Sequence, residues 1–153
     1  MSHSALRIAE RLLAASVGVF LVAWCLREDV QPDLYFHFAA GRWILENGLP
    51  HTNVFLAPNP DHPFVAHEWL FQVACWPLYQ LGGAALLTVL KSLTVAATFA
   101  ALAAACRRHG SQLRWLVLAA ALVVAGNRFI LRPEVVSLLG VALHVAFLTR
   151  DRG

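Results

Sequence analysis

Four apolar runs, at residues 12–26, 84–106, 113–131 and 135–148, are each followed within two residues by an arginine. Crossing the hydrocarbon of a bilayer takes about 20 predominantly apolar residues in a helix. In lipid the backbone polar groups must be satisfied within the segment, so apolar runs of this length are read as helices rather than open strands. The rest of the composition agrees. Hydrophobic residues make up 59% and charged residues 14%, and the mean hydropathy is +0.61. Ordinary soluble domains carry roughly a quarter charged residues. A disordered chain is excluded on the same grounds. The formal charge of +3 does not point to nucleic acid, because the basic residues are scattered around the apolar runs, where they are better read as topology signals.

The first run, extended back to residue 8, reaches spanning length. A signal peptide is disfavoured because Trp24, Cys25 and Leu26 are too bulky for a small-residue cleavage site. The expected spans are therefore about 8–26, 84–106, 113–131 and 135–148, with Lys91 inside the second. Seven of the twelve basic residues (Arg7, Arg11, Arg107, Arg108, Arg114, Arg150 and Arg152) fall on one side of this arrangement. The positive-inside rule then puts both termini in the cytoplasm and residues 27–83 on the outer face. The expected fold is an all-α polytopic membrane protein, a single membrane domain over 1–153, in the cell inner membrane. Cys25, Cys75 and Cys106 form no CxxC pattern and are read as free thiols.

The outer segment holds six of the nine acidic residues and four of the seven histidines. Pro32-Asp33 reads as a helix start, and Asn47-Gly48 followed by Pro50 as a stop. Between them, Leu34, Phe38 and Leu45 fall on one apolar face, predicting an amphipathic helix over 33–47. The Pro-rich stretch 51–63 reads as a loop. A second helix over 66–80 carries Trp69, Phe71, Trp76 and Tyr79, with Pro77 kinking it and Gly82-Gly83 ending it. Both helices are expected to lie at the membrane interface.

Asp33 and His37, four residues apart, share a helical face. Asp33 supports two readings: a general base or divalent-cation ligand beside a lipid-borne phosphate, and a helix-start acid favoured by the dipole. His67 and Glu68, at the start of the second helix, read first as capping and interfacial hydrogen-bonding groups, with cleft-lining residues as the second reading. Arg128 and Arg132 read either as phosphate ligands or as side chains snorkelling to the interface, and Glu134 as an ion-pair partner for one of them. A zinc site from His37, His51, His62 and His67 lacks the HxxxH or HExxH spacing that would support it.

The order of these features resembles the N-terminal part of polytopic GT-C glycosyltransferases, which use polyprenyl-phosphate sugars. The likeness covers about 12–132. It rests on an outer acid after the first span, the helix DLYFHFAAGRWILENG, the aromatic stretch HEWLFQVACWPLYQLGG and the basic turn CRRHG. It is closest to bacterial membrane proteins with a D-x-x-x-H…G-x-x-I…G-x-P start and an H-x-W-L step. The resemblance implies that Asp33 is the catalytic base or a metal ligand, with His37 and His67 beside it. It also implies that Arg128, Arg132 and Glu68 contact the substrate, a polyprenyl-phosphate sugar. Many members carry an adjacent Asp-Glu pair. Here Leu34 follows Asp33, and the nearest such pair is Glu28-Asp29, which makes Asp29 the alternative. Members also usually have more spans, so the chain is expected to be the beginning of a longer enzyme. The competing expectation is a non-catalytic membrane subunit or scaffold.

Overall fold

A computed structural model describes residues 3–27, 32–55, 62–108 and 110–150. The order is α1 (His3–Cys25), α2 (Pro32–Asn47), α3 (Trp69–Ala105), a 3-10 turn (Cys106–Arg108), α4 (Ser111–Ala125), a second 3-10 turn (Gly126–Arg128) and α5 (Pro133–Arg150). Among the described residues no strand forms; Thr52 and Pro63 make one isolated antiparallel bridge. Ser4–Cys25, Trp69–Ala105 and Pro133–Arg150 are long and apolar enough to cross a membrane. The helix expected over 113–131 stops at Ala125, because the chain tightens into the 3-10 turn at Gly126. Glu28 and Asp29, residues 56–61, His109 and Arg152 lie outside the described residues.

The chain forms two compact units. The first comprises Met1–Glu28, Leu90–Ile130 and Glu134–Gly153. Its core is built by Val17, Val95, Phe99, Leu118, Leu122 and Phe129, with Phe99 and Phe129 meeting edge to face at 5.7 Å. The end of α1 is fixed by polar groups of α3. Ser92 Oγ donates to the Cys25 carbonyl at 3.0 Å, and Lys91 Nζ donates to the Arg27 carbonyl at 2.8 Å. Lys91 is 1% exposed. The lysine expected inside a span is therefore turned inward, where its charge meets carbonyls that a helix end leaves unpaired. At the same end, Trp24 packs on Gly126, where a Cβ would come within 3.1 Å of the indole. Thus α1 and α4 run in the same direction. The 3-10 turns before and after α4 reverse the chain, so that α3 and α5 run the opposite way. The unit is four helical segments of alternating direction.

The second unit comprises Asp29–Val89 and Leu131–Pro133. Here α2 packs on the first part of α3 around Phe38, Cys75 and Leu87, with Leu34, Phe71 and Tyr79 against them. Phe38 and Tyr79 stack at 4.3 Å. Gly41 decides how close the helices come. A Cβ there would lie 2.0 Å from the Gln72 backbone oxygen. Because the contact centres on Gly41, the buried stripe of α2 runs through His37, Phe38, Ala40 and Ile44, and Leu45, expected on it, is exposed. The expected helix over 66–80 and the expected span from residue 84 both fall within α3. Between them Gly82 and Gly83 leave helical geometry, Gly83 with φ 60° and ψ −157°. The Phe64 amide donates to the His51 carbonyl and the Asn53 amide to the His62 carbonyl. Phe55 then packs among Phe36, Trp43 and Phe64.

Candidate functional site

The second unit brings together most of the residues singled out in the sequence. Asp33 stands in the first turn of α2, where Pro32 opens the helix and an acid is favoured by the dipole. Its carboxylate forms a hydrogen-bonded ion pair with the Arg132 guanidinium, from a residue 99 positions away. The Asp33 side chain is 56% exposed and that of Arg132 33%, so the pair is open to a ligand. Glu134 stands in the first turn of α5.

One turn along α2, His37 is 5% exposed and faces the start of α3. Its Nδ1 lies 3.4 Å from Gln72 Nε2 and 3.6 Å from Glu68 Oε2. The Phe71 ring meets the imidazole edge to face at 5.3 Å. Two protonation states therefore have ready partners. A neutral Nδ1 accepts from the Gln72 amide; a protonated one faces the Glu68 carboxylate. Gln72 Oε1 is buried with no hydrogen-bond partner among the described residues. Turning the amide over would offer that oxygen to a protonated Nδ1 instead. The exposed His67 lies 3.8 Å from the other oxygen of Glu68. Glu68 thus sits between two imidazoles.

Gln72 was not among the residues singled out. Its signal is its spacing, one helical turn beyond Glu68 on the same face of an otherwise apolar stretch. Arg128 is exposed on the second 3-10 turn and belongs to the first unit. His51 and His62 belong to the loop, and the His62 ring bonds to the Pro63 carbonyl. Among the described residues, no group of three or more His, Cys, Asp or Glu side chains is arranged to hold a metal ion. All three cysteines are free, Cys25 and Cys75 buried and Cys106 half-buried.

Fold and composition define an all-helical protein of the membrane class, with three helices fit to span. No family model, curated protein or solved structure matches the chain.

Proposed function

We propose that this chain is a membrane glycosyltransferase of the GT-C type, or the N-terminal part of one. It would transfer a sugar from a polyprenyl-phosphate donor to an acceptor on the outer face of the cell inner membrane. The observation that carries the proposal is the Asp33–Arg132 pair. It sets a proton acceptor beside a fixed cation at an accessible helix start, the two charges that glycosyl transfer from a phosphate requires. Asp33 takes the proton of the acceptor hydroxyl. The hydroxyl oxygen bonds to the anomeric carbon as the bond from that carbon to the phosphate oxygen breaks, with inversion. The electron pair leaves with the phosphate, whose charge Arg132 meets. His37, Glu68 and His67 line the acceptor side.

Four spans with both termini in the cytoplasm suit this chemistry. With its 3-10 turn, α4 extends about 28 Å, close to the roughly 30 Å of a hydrocarbon core. Asp33 then lies on the outer face, and α2 and the start of α3 at the interface.

The test uses membranes bearing the chain and radiolabelled polyprenyl-phosphate mannose or glucose. Asp33→Asn is expected to remove sugar transfer while insertion persists, and Arg132→Gln to weaken capture of a photoreactive polyprenyl phosphate. Full transfer in Asp33→Asn, or no capture by the unaltered protein, overturns the proposal. The second result favours a non-catalytic subunit.

A further inference from the structure

In the first unit a cavity of about 780 Å³ opens where α3 ends and α5 ends. Its lining divides by chemistry. Arg107 and Arg150 supply charge, while the Thr149 hydroxyl donates back to the Val145 and Ala146 carbonyls of its own helix; Ala105, Ala146 and Phe147 belong to its apolar wall. The wall reaches Leu143, two helical turns before Arg150, or about 10 Å along the axis of α5. Arg150 ends α5 and Arg107 lies in the 3-10 turn just after α3; both helices are long and apolar enough to span, so these residues stand at the level at which a bilayer changes from hydrocarbon to headgroup. Phe147 and Leu143 are 64% and 54% exposed, so the protein leaves this wall uncovered.

We propose that this cavity binds an anionic phospholipid, its phosphate between Arg107 and Arg150 and the upper part of an acyl chain along Ala146, Phe147 and Leu143. Charge complementarity selects the occupant. Two guanidiniums above an apolar slot match a phosphate joined to a hydrocarbon chain. A zwitterionic headgroup adds a cation beside the arginines, and a free phosphate makes no use of the slot. The side chains that complete the positive-inside pattern at this end would thus be a lipid-selective site as well as a topology signal.

The test is native mass spectrometry of the detergent-purified chain, titrated with phosphatidylglycerol or phosphatidylcholine. Phosphatidylglycerol is expected to be retained and phosphatidylcholine lost. Arg107→Gln and Arg150→Gln should each weaken phosphatidylglycerol binding about five-fold, the effect of roughly one basic side chain at an anionic surface. Ala146→Phe, which fills the slot and keeps both charges, should also weaken it. Arg42→Gln, which removes a surface arginine of the second unit, should leave it unchanged. Equal retention of the two lipids, an equal loss in Arg42→Gln, or full displacement by millimolar inorganic phosphate overturns the proposal. If Ala146→Phe does not fold, the arginine variants and the phosphate competition still decide.

Discussion

At the scale of single residues, two glycines inside helices have opposite roles. Gly41 of α2 faces the backbone of α3, and a Cβ there would overlap the Gln72 carbonyl. Gly18 of α1 has nothing within 4 Å of where a Cβ would stand. Gly41→Ala must push two backbones apart, because no flexible side chain can yield, and is expected to cost about 1–3 kcal/mol. Gly18→Ala adds helix propensity without a clash and is expected to stabilise by up to about 1 kcal/mol. Thermal unfolding of the two variants in the same detergent should move in opposite directions; a shift of the same sign in both would refute the close approach at Gly41. The sequence carried this contact only as the G-x-x-I step. The spacing of Asp33 and His37 was legible as a shared helical face. Their partners were not, since Arg132 lies 99 residues from Asp33 and Gln72 lies 35 from His37. Local periodicity says which side chains point the same way, and only tertiary packing says what meets them.

At the scale of elements, hydropathy marked the apolar stretches that become α1, the later part of α3, α4 and α5, and the two 3-10 turns that bound α4 had no such signal. The stretches 66–80 and 84–106 read as separate elements, because Gly82-Gly83 marks a stop. The structure keeps that break as a local departure within α3. Gly83 lies at φ 60° and ψ −157°, a region open almost only to glycine. The Lys91 charge in the second apolar run was consistent with either an inward or a snorkelling side chain. The deciding fact is that α1 ends beside it, with the Arg27 and Cys25 carbonyls left over from the helix ladder. Lys91→Met keeps most of the volume and leaves the Arg27 carbonyl without that donor, which is expected to cost about 1–3 kcal/mol. Relief of a buried charge opposes this loss, so the net sign shows which of the two is larger. Unfolding midpoints of Lys91→Met and Ser92→Ala would show it. A Lys91→Met protein more stable than its parent would mean that desolvation of the ammonium outweighs its bond to α1.

At the scale of the whole molecule, charge distribution was the most legible property, and it bears on the membrane rather than on the packing. Within the first unit the alternating directions of α1, α3, α4 and α5 gather Arg7, Arg11, Arg107 and Arg114 toward the end where α1 and α4 begin and α3 and α5 finish. That is the pattern expected if this end faces the cytoplasm, where basic residues resist translocation. The proposed chemistry at Asp33 depends on the same orientation, since an acceptor on the outer face cannot reach a carboxylate on the inner one. Two exposed positions test it, Val65 in the second unit and Gly110 before α4. In a background with Cys25, Cys75 and Cys106 replaced by alanine, Val65→Cys should react with a membrane-impermeant maleimide on intact cells. Gly110→Cys should react only after permeabilisation. The reverse pattern would put Asp33, His37 and Glu68 on the cytoplasmic side and end the case for an outer-face transferase. It would also move Arg107 and Arg150 to the outer leaflet, so one labelling experiment constrains both the catalytic site and the lipid site.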